Sequence, residues 1–191
     1  MATSHPDTDA SSPVTISVSI NGGTILGKRQ ASSEKYPKPV DIFYAISYAT
    51  TLRFQRPTPC VPVESGSVLD ARHEGKYTPQ PMAPFETEEG ILRVNVFRSV
   101  RDEGARGPKE EGEDGDTDSP CGCGTGGASS SRRRLPVMVY FHGGAYNFGD
   151  PLERDLVSLV SWAGEGEGEG GVDMVVVSVG YRLGALGFPH E

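Results

Sequence analysis

An α/β fold with one parallel βαβ unit is the class predicted by this sequence of 191 residues. Three stretches predict it. Val137-Met138-Val139-Tyr140-Phe141 is an apolar, β-rich run with the length of a strand buried on both faces. Asp150 to Ala163 (DPLERDLVSLVSWA) reads as a helix. Asp150 can cap it, Pro151 suits its first turn, and Leu152, Leu156, Leu159 and Val160 recur at helical spacing. Met174 to Val179 (MVVVSV) is a second buried strand. Strand, helix and strand in that order form a βαβ unit, which implies parallel strands and a right-handed crossover.

His142-Gly143-Gly144-Ala145 follows the first of these strands directly. Glycines there let the chain turn sharply and approach whatever lies beyond the strand end. Open α/β sheets bind ligands at that carboxyl edge, so the site is expected at this loop.

Composition narrows the classes. Lys and Arg number 18 against 26 Asp and Glu, a net charge of −8 that argues against nucleic acid as the main partner. The hydrophobic content is only 36%, with 25 Gly and 15 Pro, so part of the chain is expected not to pack. No apolar run approaches membrane-spanning length. The first residues, MATSHPDTDASSP, have neither a basic start nor an apolar core, so no secretory signal is expected. Cys60, Cys121 and Cys123 form no disulfide framework, which fits a reduced, cytoplasmic setting. No cofactor and no metal are expected, because Cys121-Gly122-Cys123 alone is too short a pattern for a metal site.

In chain order, residues 1–13 read as a disordered tail. Val14 to Ile20 alternates as a half-buried strand, Asn21-Gly22-Gly23 is a turn, and Thr24-Ile25-Leu26 begins the return strand of a hairpin. Asp41 to Ala49 is a third strand. Arg53-Phe54 with Pro57, Pro59 and Pro62 is extended, and 64–90 is irregular. Ile91 to Val100 alternates as a strand. Arg101 to Arg134 has almost no large apolar residues and reads as a disordered insertion between two strands. Trp162 is expected to pack, and Glu165 to Gly171 is a low-complexity loop.

The chemistry open to His142–Ala145 is the binding of developing negative charge. Small residues after a buried strand can aim successive backbone N–H groups into one cavity, as in an oxyanion hole for acyl transfer. The alternative is a glycine turn that lets strand and helix pack. His142 is assigned to loop support.

Leu135–Tyr146, with Val175–Val179 and Gly180-Tyr181-Arg182-Leu183-Gly184-Ala185-Leu186-Gly187-Phe188, resembles the type-B carboxylesterase/lipase family, which includes carboxylesterases and cholinesterases. That family runs from an apolar strand through HGG, a helix and a second strand to NYRLG and GF. This chain has Gly180 in place of the usual Asn. Upstream, Gly23–Gly27 is similar to the family's hairpin. Phe43–Ala49 resembles F-x-GIPYA, with Ala45 and Ser47 as departures. Arg53-Phe54, Pro79-Gln80 and Glu88–Phe97 match further segments. Thr78 and Gly90 stand where the family often joins two cysteines, so that disulfide is absent.

The resemblance implies an incomplete α/β-hydrolase fold over 14–191: an N-terminal β-hairpin region plus a partial central sheet with one βαβ unit. It implies an oxyanion hole at Gly143, Gly144 and Ala145, with Gly144 and Ala145 the favoured donors, and a small-molecule carboxylic ester as substrate of the complete protein. Family members carry a Ser nucleophile in G-E-S-A-G on the strand after YRLG. No G-x-S-x-G occurs here, and Ser178 reads as a strand serine. The expectation is therefore an N-terminal fragment of a serine esterase, inactive alone, with no catalytic residue of its own. The alternative is a non-catalytic remnant or binding protein of the same fold.

Overall fold

Residues that alternate or run apolar over five to eleven positions build one mixed sheet. The structure, a computed structural model, describes residues 14–81, 83, 86–100, 134–165 and 171–188. Among these the strands are β1 (Val14–Ile20), β2 (Gly23–Gln30), β3 (Val40–Thr50), β4 (Thr58–Pro59), β5 (Val68–Asp70), β6 (Ile91–Ser99), β7 (Val137–Phe141) and β8 (Val175–Val179). The helices are α1 (Leu156–Ala163) and the single turn α2 (Gly184–Gly187). The strand order is β1-β2-β3-β6-β8-β7, with β4 on β3 and β5 on β2. The expected hairpin is present. Asn21 (φ 51°) and Gly22 (φ 78°) both take the left-handed conformation that a tight hairpin turn requires.

The expected βαβ unit is also present. β7 and β8 pair in parallel from Val137 opposite Val175 to Phe141 opposite Val179, with α1 between them in the chain. β7 is not buried on both faces, however. It ends the sheet, and Val137, Val139 and Phe141 are 62%, 51% and 63% exposed. Met138 and Tyr140 face the core under α1. An unbroken apolar run does not distinguish one covered face from two, which is why the sequence misled here. The open edge is a surface prone to pairing with another strand.

The helix begins later than expected. Asp155, not Asp150, is its cap: Oδ1 accepts from Ser158 N at 3.0 Å and Oδ2 from Ser158 Oγ at 2.9 Å. Asp150 instead closes a separate turn, accepting from Leu152 N at 2.6 Å. Leu156 and Val160, four apart on one face, are the helix's buried members of the core, with Val157 packed against it. Partial burial would raise the Asp155 carboxyl, but Lys35 at 2.8 Å and Ser158 outweigh it and hold the group below its ordinary range. A carboxyl held low in the fold stabilises above its unfolded value and loses that effect as pH falls through the folded one. Asp155→Ala should cost about 1 kcal/mol at neutral pH in urea unfolding. The difference should shrink below pH of about 4.

The core lies on both faces of the sheet. Val40, Ile42, Tyr44, Phe97 and Val176 pack under Leu156 and Val160, and Ile25, Phe43, Val63 and Ala71 form the second cluster. The alternation of Ile42 and Phe43 sends one to each. Ser161, fully buried, donates to Lys38 O at 2.7 Å and accepts from Lys38 N at 2.9 Å, which fixes the approach to β3 against α1. Trp162 does not pack: it is 56% exposed, its indole N–H donating to Lys35 O at 3.2 Å.

β3 carries an extra residue between Phe43, opposite Val96, and Ile46, opposite Val94. Ala45 takes up this bulge at φ 55°, and its N–H bonds Asn95 Oδ1 at 2.9 Å. Glycine adopts that conformation without penalty, whereas a Cβ there costs about 1–2 kcal/mol. Ala45→Gly should therefore stabilise the chain by about 1 kcal/mol after the loss of backbone entropy, read as a higher urea midpoint at unchanged m.

The expected tail at 1–13, residues 101–133 of the expected insertion at 101–134, and residues 166–170 lie outside the described residues. Among the described residues no helix is long and apolar enough to cross a membrane. No His, Cys, Asp and Glu cluster among them could hold a metal ion.

Candidate active-site loop

β7 ends at Phe141, and the loop 142–149 turns back across the carboxyl ends of β7 and β8. His142 anchors it. The residue is 4% exposed, and its ring stacks on Tyr181 at 4.4 Å between centroids and 13° between planes. Tyr181 Oη donates to His142 O at 2.6 Å. Burial pushes the Tyr181 hydroxyl up, so it stays a donor. His142 Nδ1 lies 2.8 Å from Gly143 O. A carbonyl can only accept, so Nδ1 carries the hydrogen. Among the described residues the buried Nε2 has no partner.

That bond sets a direction. A trans peptide holds its C=O and N–H antiparallel in one plane. With Gly143 O turned to His142, the N–H of Gly144 points the opposite way. The next peptide is fixed alike: Gly144 O accepts from Asn147 N at 3.0 Å and Phe148 N at 3.2 Å, which turns the Ala145 N–H outward. Among the described residues neither N–H has a protein partner. The geometry is held under strain. Gly144, Ala145 and Tyr146 have φ of 111°, 51° and 63°, and the two non-glycine residues each cost about 1–2 kcal/mol there.

Gly143, the third residue picked out from the sequence, differs from the other two. The Tyr140 hydroxyl donates to Glu153 Oε1 at 2.6 Å and holds that carboxyl below its usual range, and the Gly143 N–H adds to this from the loop side. Among the described residues its N–H, like theirs, has no backbone partner. Nor does the turn need glycine there: a Cβ at 143 would meet nothing within 4 Å.

The matched segments meet around this loop. Gly184 N donates to Tyr146 O at 2.7 Å, and the Tyr146 and Phe188 rings lie 4.6 Å apart. Arg182 Nη1 donates to Gln55 O at 2.8 Å, and Arg53 pairs with Glu89. Thr78 and Gly90 line one small cavity. Gln80 bonds both backbone groups of Gly149. Sequence reasoning assigned no role to Gln80, Gly149 or Glu153, because their partners are identified only by the fold. Ser178 lies within β8, fully buried, and its hydroxyl bonds Pro151 O. A separate recess, lined by Ala45, Tyr77, Asn95 and Gly180, does not include the loop.

A mixed sheet with a parallel βαβ unit and a glycine loop at the strand end is the α/β-hydrolase arrangement, here part of it. The chain belongs to the carboxylesterase family, whose profile matches residues 14–191. It is 32% identical over 147 residues to the para-nitrobenzyl esterase of Bacillus subtilis (strain 168), covering 72% of this chain and 22% of that protein. It is 28% identical over 200 residues to Neuroligin-3 of Mus musculus, covering 90% of this chain and 22% of that one. A solved PNB esterase structure superposes with a TM-score of 0.55 at 28% identity, covering 92% of this chain and 28% of that chain. The juvenile hormone esterase of Manduca sexta, with OTFP covalently attached, superposes at 0.60 and 23% identity, a likeness of fold. The chain thus spans less than a third of the length of these relatives.

Proposed function

We propose that this chain is the N-terminal part of a carboxylic ester hydrolase and supplies its oxyanion donors, the N–H groups of Gly144 and Ala145. One observation carries the reading: among the described residues both amides are unpartnered, and the carbonyls of their own peptide groups are anchored on the opposite side. Donors fixed in advance stabilise the negative oxygen of a tetrahedral acyl intermediate without reorganising, and each is worth roughly 10²–10³ in rate. Gly143 belongs to the same loop, and the carbonyl of its own peptide group, His142 O, is held by Tyr181 Oη. The nucleophile of the acyl-enzyme step would come from residues beyond this chain, since Ser178 is enclosed in β8.

The reading has two consequences in solution. Butanesulfonate, a tetrahedral anion, should shift the Gly144 and Ala145 amide resonances of ¹⁵N-labelled protein. The chain alone should neither hydrolyse p-nitrophenyl butyrate nor be labelled by a fluorophosphonate. A label mapped to any serine of the chain overturns the assignment of the nucleophile elsewhere, and amides silent to butanesulfonate overturn the oxyanion role.

The lack of any G-x-S-x-G among the 191 residues favours a second reading, a non-catalytic protein of the same fold. A GESAG-type segment in frame in the DNA downstream of Glu191 would select the hydrolase, and its absence the second reading.

A further inference from the structure

The Gln80 side chain makes a two-way bond with one backbone residue. Nε2 donates to Gly149 O at 2.9 Å and Oε1 accepts from Gly149 N at 2.8 Å. Gln80 belongs to neither core cluster. Gly149, at φ 146°, is wedged against the root of the loop. A Cβ there would lie 2.1 Å from His142 Nδ1 and 2.4 Å from Gly143 O. Its backbone therefore presses on the two atoms whose hydrogen bond aims the Gly144 N–H.

We propose that Gln80 is a positioning residue for the 142–149 loop: by holding Gly149 against the His142 ring, it keeps the Nδ1–Gly143 O bond closed and the Gly144 N–H turned outward. The proposal rests on the oxyanion reading of that loop. If Gly149 withdrew, the imidazole would gain room to turn about its Cβ–Cγ bond. Gly143 O would then lose its donor, and the 143–144 peptide could rotate as a rigid plane. The tie suits an amide, which offers a donor and an acceptor side by side in one plane, matching the C=O and N–H of a single residue. A carboxylate at this position can only accept, and it would set its charge against Gly149 O.

Three forms of the chain test this by NMR: wild type, Gln80→Ala and Gln80→Glu, each titrated with butanesulfonate, which stays ionised at pH 4 and 7. In wild type the Gly144 and Ala145 amides should shift at both pH values. In Gln80→Ala the apparent affinity read at those amides should fall about tenfold or more. Hydrogen exchange at Val176 and Val177 in β8 should stay within about twofold of wild type, because the tie lies outside the core. Gln80→Glu should bind as weakly as the Ala variant at pH 7. It should recover much of the affinity at pH 4, just under the ordinary glutamate value of about 4.3, where about two-thirds of the carboxyl is protonated and again donates and accepts. That pH-dependent recovery is what a purely structural role would not produce. Wild-type titration matched by both variants overturns the Gln80 role and leaves the loop reading standing. A wild-type protein blind to butanesulfonate removes the loop reading, and the positioning role with it.

Discussion

Asp41→Asn is expected to lower the stability of the fold by about 3 kcal/mol. Asp41 sits in β3 with 1% exposure, and a guanidinium reaches it from each neighbouring strand. Arg29 is its register partner on β2 and Arg98 its partner on β6, so the three form one row across the sheet. Arg29 Nε lies 2.7 Å from Oδ1, Arg29 Nη2 3.2 Å from Oδ2, and Arg98 Nη2 2.6 Å from Oδ2. Burying a carboxylate is tolerable because both oxygens are paired. Asparagine keeps the volume but replaces one acceptor with an NH₂ group, and it then faces guanidinium groups that can only donate. The two arginine side chains are 36% and 38% exposed and can turn to water, which places the cost at the lower end of the range for breaking a buried pair. Urea unfolding followed by circular dichroism measures it. A change under about 1 kcal/mol would reduce the row to the worth of an exposed ion pair.

How far the fold could be read from the sequence depended on how local each determinant is. β1 alternates strictly, β6 alternates from Leu92 to Val96, and the Asn21-Gly22 turn signals its own backbone angles, so these were legible. The β7–α1–β8 unit was legible in kind because each piece carries its own period. The start of α1 was not. Asp150-Pro151 and Asp155 both offer capping chemistry, and the choice between them is made by Leu156 and Val160 reaching Phe97 and Val176, a tertiary fact. The bulge in β3 was hidden because alanine occupies the left-handed position at 45, where glycine would have marked it. In the loop, the composition of His142–Ala145 pointed to backbone donors, and the family resemblance favoured Gly144 and Ala145 among them. What spacing does not encode is how their peptide groups are held, with Gly143 O on His142 Nδ1 and Gly144 O on Asn147 N and Phe148 N. The Gln80 tie joins residues 69 apart in the chain and had no local signal at all.

Two adjacent glycines provide the sharpest test of that ranking. Gly144→Ala should destroy the loop conformation, whereas Gly143→Ala should leave stability within about 0.5 kcal/mol of wild type. A Cβ at 144 would lie 1.7 Å from Phe148 O and 2.6 Å from Phe148 C. Those are backbone atoms, and a Cβ has no rotamer by which to avoid them. The φ of 111° is moreover closed to residues that carry one. Keeping the wild-type loop would therefore cost more than the few kcal/mol available to it, so the bonds from Asn147 N and Phe148 N to Gly144 O must break. The Ala145 N–H then loses its direction, and the butanesulfonate shifts at 144 and 145 should vanish. β8 is held by pairing with both β6 and β7, so its amides should keep their protection and confine the damage to the loop. Gly143 lies outside the left-handed region, and a Cβ there meets nothing within 4 Å, so its alanine variant should titrate like wild type. Equal loss of anion response in both variants would mean that the Gly143 amide takes part as well. Equal retention would mean that the charge is bound somewhere other than the loop.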